Sequence, residues 1–459
     1  MMKLYNSLNK KVEEFIPYGD IVKMYSCGPT VYYYPHIGNM RSYIFMDSLR
    51  RTLKYANYKI EGVMNITDVG HLTSDADTGE DKMEVASKRE NKTPLEIAEY
   101  YTNIFMDNAS KLNIDMPEHI TKATEYIPKM IEFIKKLEEK GYTYMTKDGL
   151  YFDTMKFKGY GKLSNKDMTE KGVARIEEND EKKHPFDFAL WKFVEPNHIM
   201  KWDSPWGVGC PGWHIECSVM STDILGEHID IHTGGIDHKT VHHENEIAQN
   251  DACMGHEVVK CWMHCAFLQV DGGKMSKSLN NIYTIEDLEK KGYSPMDFKY
   301  FVLNTHYSKP LNFTFDSISA SKSARNKLMR QLLVHKDSTN KTDENILNDY
   351  RNKFNEAIEN DLNTPLAIGV IWTMLKENPS IDIYNLIIEF DKALGLKLDE
   401  VVEEIKEEIP DYIQELAIKR AEAKKNKDFT LADSLRNEIT SKGYSVLDTR
   451  EGYTIEKIN

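Results

Sequence analysis

Four side chains able to share a metal ion are scattered through this sequence. Cys27 follows a short apolar run, and Cys217 ends the block Pro211-Gly212-Trp213-His214-Ile215-Glu216-Cys217. His242 and Glu246 lie within His242-His243-Glu244-Asn245-Glu246. If that segment is helical, His242 and Glu246 share one face. Two thiolates, an imidazole and a carboxylate compose a tetrahedral zinc site. His243, beside His242, is a rival ligand. The alternative is that Cys27 and Cys217 are core cysteines and the histidines are surface polar groups. A metalloprotease is excluded, because Ile247 occupies the place of the second histidine of His-Glu-x-x-His.

Two shorter motifs suit a nucleoside triphosphate. Pro35-His36-Ile37-Gly38-Asn39 is expected to follow a strand and open a helix. Backbone N–H groups at a helix N-terminus attract phosphate, and a glycine lets it approach closely. His36 can donate a hydrogen bond to a phosphate oxygen, as can Asn39, which carries no charge. Lys274-Met275-Ser276-Lys277-Ser278 lies in a loop that begins Asp271-Gly272-Gly273. Two ammonium groups on a mobile loop suit the charge that grows on a departing pyrophosphate. Either motif alone is ordinarily a turn or a solvated loop.

Positioning such residues calls for a sheet with helices on its faces. Ile21, Val22, Met24 and Tyr25 form a short apolar run, a helix is expected from about Asn39 to Tyr55, and Lys59 to Ile66 reads as a buried strand. This is the βαβ arrangement of a nucleotide-binding parallel sheet. Thr93-Pro94-Leu95-Glu96 is a capping box with proline at the first helical position. Ile97, Tyr101, Ile104, Phe105 and Leu112 then recur at helical spacing. Ile127, Ile131, Ile134 and Leu137 mark another amphipathic helix, stopping at Gly141. Strands are expected again at His228–His232 and Val258–His264, and helices from about residue 315.

These patterns imply an α/β protein: a Rossmann-type parallel-sheet domain with an insertion, then a helical bundle and a small C-terminal domain. The expected divisions are 1–115 and 201–268 for the two halves of the sheet domain and 116–200 for the insertion. The lysine loop and its junction take 269–314, the bundle 315–400, and an acidic linker with the C-terminal module 401–459. Residues 414–459 hold 9 Lys/Arg and 8 Asp/Glu, so the tail escapes the acidity of the whole.

A chain of 459 residues, 41% hydrophobic, has room for two to four packed units. No stretch approaches the ~20 apolar residues of a membrane helix, and Met1 to Phe15 lacks the apolar core of a secretory signal. A cytoplasmic protein is expected, with no membrane partner. Its six cysteines are then poor disulfide candidates. The formal charge of −14 argues against broad nucleic-acid affinity without excluding a local basic groove.

In their order and separation, the His36 and Lys274 motifs resemble the paired motifs of class I aminoacyl-tRNA synthetases. Met24-Tyr25-Ser26-Cys27-Gly28-Pro29-Thr30-Val31-Tyr32, Pro211 to Cys217, and Gly234-Gly235-Ile236-Asp237 before His242-His243-Glu244-Asn245-Glu246-Ile247-Ala248-Gln249 narrow it. With Asp187-Phe188-Ala189-Leu190-Trp191-Lys192 they are similar to cysteinyl-tRNA synthetases over essentially the whole chain. The resemblance implies Cys27, Cys217, His242 and Glu246 as ligands of one zinc ion. It implies that His36, Gly38, Asn39, Lys274 and Lys277 handle ATP, with magnesium on the triphosphate. Thr67 and Trp213 would line a cysteine pocket. Asn39 departs from the family's more frequent second histidine. Cys210, Cys253, Cys261 and Cys265 read as structural, and His71 is given no role.

The resemblance further implies activation of cysteine with ATP and its transfer to the cysteine tRNA, by a monomer. A zinc ion suits that task. One small group distinguishes cysteine from serine by only ~1–3 kcal/mol in a shaped pocket. A metal that takes a thiolate at neutral pH discriminates far better. A ligase joining cysteine to an amino sugar would share the zinc and ATP motifs without the C-terminal module. A non-catalytic zinc scaffold would have no need of Lys277.

Overall fold

An antiparallel hairpin of β1 (Lys3–Asn6) and β2 (Lys11–Glu14) precedes the sheet that organises the first half of the chain. The computed structural model describes residues 1–70, 81–165, 181–273, 275, 281–400, 409–449 and 452–457. Residues 1–398 form one unit and 399–459 a second.

In the first unit β3 (Ile21–Ser26) leads through α1 (Ile37–Tyr55) to β4 (Lys59–Ile66). After α2 (Lys82–Glu90) and α3 (Pro94–Lys111), β5 (His119–Lys122) adds a third parallel strand. The sheet therefore continues into the span read from sequence as an insertion. Next come α4 (Ile127–Glu139) and an antiparallel sheet of β6 (Thr143–Thr146), β7 (Gly149–Phe152), β8 (Phe188–Phe193) and β9 (Gly209–Pro211). The main sheet then resumes through α5 (Trp213–Leu225), β10 (Ile229–Gly235), α6 (His242–Met254) and β11 (Val259–Cys265).

The order of the main sheet is β11-β10-β3-β4-β5, all parallel. The chain winds outward in one direction from β3 through β4 and returns on the other side with β10. That reversal opens a crevice beyond the carboxyl ends of β3 and β10, where ligands bind in open α/β sheets. The strands flanking it are covered on both faces, and Val22, Tyr25, Ile229 and Ile231 are fully buried.

Helix α1 opens two residues earlier than its apolar pattern suggests, because His36 caps it. The Thr93 box is present as expected: its hydroxyl accepts from Glu96 N, and Glu96 Oε2 accepts from Thr93 N. After β12 (Leu268–Val270), α7 (Ile285–Lys290) and α8 (Pro295–Leu303), β13 (Leu311–Phe313) pairs with β12. Four helices follow: α9 (Phe315–Lys336), α10 (Glu344–Glu359), α11 (Thr364–Met374) and α12 (Ile381–Leu394). Phe354 and Phe390 stack there with ring centroids 3.9 Å apart.

The second unit joins α13 (Asp411–Lys425) and α14 (Phe429–Ser441) to a hairpin of β14 (Tyr444–Thr449) and β15 (Gly452–Lys457). Its core is Ile413, Ala417, Ile439 and Val446. Arg420 grips the Asp448 carboxylate with both terminal nitrogens, assisted by Lys424.

One buried ion pair fastens α1 to α8. Lys299 Nζ lies 2.6 Å from Asp47 Oδ2, with both side chains fully buried, and it also donates to the carbonyls of Leu112 and Asn113. The other Asp47 oxygen accepts from Arg51 Nε and Asp115 N. Burial pushes the Lys299 ammonium below its usual range, with Asp47 opposing that shift. Removing one partner of such a pair strands a buried charge, so Asp47→Ala should cost about 3–5 kcal/mol. In urea unfolding its midpoint should fall sharply, and combining Asp47→Leu with Lys299→Met should recover much of the loss.

Candidate metal centre and nucleotide cleft

Cys27 is the first residue past β3, at the sheet's reversal, where its N–H donates to Thr233 O on β10. A tight approach holds it there. Gly28 N donates to Asn65 Oδ1 at 2.7 Å, and a Cβ on Gly28 would come 1.6 Å from Asn65 O. Cys217 comes from the first turns of α5, and His242 and Glu246 from the opening of α6, one turn apart as a helix requires. Cys27 Sγ lies 4.0 Å from Cys217 Sγ and 3.9 Å from Glu246 Oε1. His242 Nε2 lies 3.4 Å from Cys217 Sγ and 3.1 Å from Glu246 Oε1. A tetrahedral ion with ligands at 2.0–2.3 Å separates its donors by about 3.3–3.8 Å, and the observed spacings straddle that range.

The donors fit zinc by chemistry as well as by spacing. They are two sulfurs, one imidazole and one carboxylate, all buried. Ionised, the thiols and carboxylate concentrate negative charge where water cannot offset it, which calls for a dication. Burial opposes ionisation of Glu246, but His232 and His242 outweigh it and bring the carboxyl to about 2. Burial likewise opposes the Cys217 thiolate, yet the hydrogen bond from Cys27 and the His242 charge lower its thiol to about 7. Burial also disfavours the His242 imidazolium, and Cys217 and Glu246 more than compensate, raising it to about 10. Cys27, buried beside that thiolate, is held well above the usual thiol range.

His243 stands close enough to compete, its Nε2 3.3 Å from Cys27 Sγ, and a second grouping joins Cys27, His232, His243 and Glu246. That grouping omits Cys217. In it His232 Nε2 bonds Glu246 Oε2 at 2.9 Å, the oxygen that faces away from His242. His232 thereby orients the carboxylate. His243 Nδ1 pairs with His264 Nε2, and His264 Nδ1 with Ser7 Oγ, each at 2.8 Å. His214 Nδ1 lies 3.0 Å from His242 Nδ1. Sequence reasoning assigned none of His214, His232 and His264. Their one legible signal is that His232 and His264 sit inside apolar strands, where an unpaired imidazole would be costly.

A cavity of about 640 Å³ runs from Cys27 to His36, Gly38 and Asn39, with Gly234 and Gly235 also on its wall. The N-terminus of α1 is a closed capping box: Asn39 N donates to His36 Nδ1 and His36 N to Asn39 Oδ1, both at 3.1 Å. Since His36 Nδ1 accepts, its proton resides on Nε2, and burial lowers the ring's basicity, keeping it neutral. Ile37 N donates to Tyr283 O, joining the helix opening to the chain beyond the lysine loop. Met275 of that loop touches the same place, for a Cβ on Gly38 would come 2.3 Å from its methyl. Lys274 and Lys277 lie outside the described residues, as does His71.

Thr67 and Trp213 lie beside the cluster. The Thr67 hydroxyl donates to Glu216 Oε2 and accepts from Asn65 Nδ2. Its backbone bonds Pro29 and Val31, fixing the loop after Cys27. The Trp213 ring packs 4.3 Å from the His242 ring.

The sequence matches the family described as tRNA synthetases class I (C) catalytic domain over residues 16–323. It is similar to the cysteine–tRNA ligase of Borrelia hermsii, with 41% identity over the full length of both chains. With that of Treponema denticola it shares 40% identity over 99% of each. Among solved structures, the fold is similar to that of an Agrobacterium radiobacter leucyl enzyme bound to tRNA and an adenylate analogue. There the TM-score is 0.59 at 12% identity, covering 85% of each chain.

Elemental analysis of the purified chain should find about one zinc ion per chain. Cys217→Ser should lose it or release it to a weak chelator, whereas Cys210→Ser should keep a full equivalent.

Proposed function

The chain belongs to the class I cysteinyl-tRNA synthetases, and on that premise we propose how its residues divide the work. The enzyme activates cysteine with ATP and transfers it to tRNA. In the first step a carboxylate oxygen of cysteine attacks the α-phosphorus. A new P–O bond forms as the bond to the β-phosphate oxygen breaks, giving cysteinyl-adenylate and pyrophosphate. In the second a terminal hydroxyl of the tRNA attacks the activated carbonyl, loses its proton, and AMP departs.

Cys27, Cys217, His242 and Glu246 hold a zinc ion in this reading. When bound, that ion supplies a soft Lewis-acidic centre that takes a thiolate in preference to a hydroxyl. The observation that carries the proposal is that Cys27 lies on the cavity that also exposes His36. A cysteine with its sulfur at the Cys27 end would present its carboxylate toward the helix opening. Thr67 and Trp213 would line the pocket of the bound cysteine, with Trp213 also packed on the His242 ring.

His36 donates through Nε2 to a phosphate oxygen, its orientation fixed by Asn39. The Gly38 N–H has no acceptor among the described residues and can serve the same phosphates. Lys274 and Lys277 neutralise the departing pyrophosphate, and magnesium accompanies ATP. Residues 1–115 and 201–268, together with β5 at the start of the span 116–200, supply the sheet and its ligands; the rest of that span is inserted between them, and 269–314 carry the lysine loop. Residues 315–400 form the bundle, and 401–459 contact the cysteine tRNA. The proposal extends to a cytoplasmic monomer. Among the described residues no helix is long and apolar enough to cross a membrane.

Lys277→Ala should depress cysteine-dependent exchange of labelled pyrophosphate into ATP, leaving the KM for cysteine within about threefold, because it acts on transition-state charge. A loss of cysteine affinity at an unchanged activation rate would reassign Lys277 to the amino-acid pocket.

A chain ended at Leu398, the last residue of the first unit, should exchange pyrophosphate at nearly the full-length rate. Its charging of tRNA should fail mainly through a raised KM for tRNA. Undiminished charging by the short chain would remove the tail from tRNA binding.

A further inference from the structure

The cavity that holds His36 is rimmed by tyrosines that no step of cysteine activation uses. Tyr33 and Tyr34 directly precede Pro35-His36, and Tyr100 comes from α3. They are 37%, 38% and 40% exposed, a cluster of large rings on the surface. Their packing is edge-to-face. The Tyr34 ring lies 5.6 Å from Tyr33, 6.4 Å from Tyr100 and 5.2 Å from the buried Tyr101. The hydroxyls of Tyr34 and Tyr100 share a hydrogen bond of 3.2 Å. Tyr101 anchors the group from below by donating to Glu90.

Cations lie over the exposed rings. The Arg89 guanidinium is 4.9 Å from the Tyr33 centroid and the Lys92 ammonium 4.3 Å from that of Tyr100. Lys82 lies 5.8 Å from the Tyr32 ring. Glu90 pairs with both Arg89 and Lys92, each of which also lies over a ring. Core packing does not account for this array, since α3 already buries Ile97, Ala98, Tyr101 and Phe105 on its inner face. Exposed aromatic faces interleaved with positive charge hold single-stranded nucleic acid, with bases stacked on rings or guanidinium planes and phosphates near the cations. Tyr33 and Tyr34 also line the cavity that contains His36 and Cys27, so a strand on this rim leads to the reacting carboxyl.

We propose that Tyr33, Tyr34 and Tyr100, with Arg89 and Lys92 over their faces, form the stacking platform for the unpaired 3′ nucleotides of tRNA entering the cleft. This rests on the reading of the chain as a tRNA-charging enzyme. The neutral rings grip bases without regard to sequence, and the guanidinium of Arg89 continues the stack.

The test compares Tyr33→Ala and Tyr100→Ala with Tyr33→Phe and Tyr100→Phe in the full-length enzyme. Pyrophosphate exchange without tRNA reports activation, and charging reports transfer. The fluorescence of 2-aminopurine replacing the 3′-terminal adenine of the tRNA reports stacking directly. The alanine variants should keep exchange within about twofold, lose about tenfold in kcat/KM for tRNA, and leave 2-aminopurine unquenched on binding. The phenylalanine variants should restore both charging and quenching. A raised KM for ATP in exchange, with charging and quenching untouched, would assign the rings to the adenine of ATP and overturn the proposal. Unchanged quenching and charging in both alanine variants would overturn it as well. A wild-type enzyme that exchanges pyrophosphate but charges no tRNA would instead defeat the underlying assignment of the acceptor.

Discussion

Two thiols and a carboxylate meet within about 4 Å at the end of β3, buried except where Cys27 borders the cavity. Negative charge gathered there is costly unless a cation sits among the donors and the carboxylate's remaining oxygen is bonded. Much of the surrounding structure follows from that constraint. Sheet order places Cys27 at the reversal, β10 delivers His232 to the outer oxygen of Glu246, and α6 sets His242 one turn ahead. The four candidate ligands come from three elements, so the cluster forms only when sheet, α5 and α6 have packed.

The segment His242 to Glu246 shows how tightly those demands are met. His242 and Glu246 face the cluster, and His243 faces β11 through His264. Glu244 accepts from Gly161 N and Ser164 N, and Asn245 from Tyr160 OH. The first turn of α6 is thus bonded on one side to the sheet and on another to the loop that follows β7. Five consecutive polar residues are buried there with protein partners, the arrangement a buried polar network requires to be stabilising.

The sequence made the ligand set and the sheet legible for different reasons. Alternating buried strands betray themselves through runs such as Ile21 to Tyr25 and Lys59 to Ile66, and observed bounds differ from expectation by only a residue or two. Cys27, Cys217, His242 and Glu246 were nameable as a set through the resemblance to cysteinyl-tRNA synthetases, since their scattered spacing alone left core cysteines as an alternative. The short strand β5 was not legible: His119 to Lys122 has no apolar run, and only pairing with β4 makes it a strand. The histidines behind the cluster were equally hidden, since nothing in local spacing links His264 to Ser7. The hydrogen bond from the Thr67 hydroxyl to Glu216 is likewise visible only once β4 and α5 meet.

Asn39 shows how a change of residue type can preserve a function through geometry. Read along the chain, it is an uncharged stand-in where a histidine is more frequent. In the fold its side-chain oxygen accepts the His36 N–H while its own N–H is accepted by the His36 ring. Only the neutral ring with its proton on Nε2 satisfies that box, so one local interaction sets the start of α1, the tautomer of His36 and the direction of its remaining donor. The asparagine half of the box does not titrate, because the amide has no proton to gain near neutrality. A histidine in its place could lose its acceptor nitrogen on protonation, and with it the fixed orientation of His36. Asn39 therefore adds no charge at the opening of α1 and keeps the His36 donor in place.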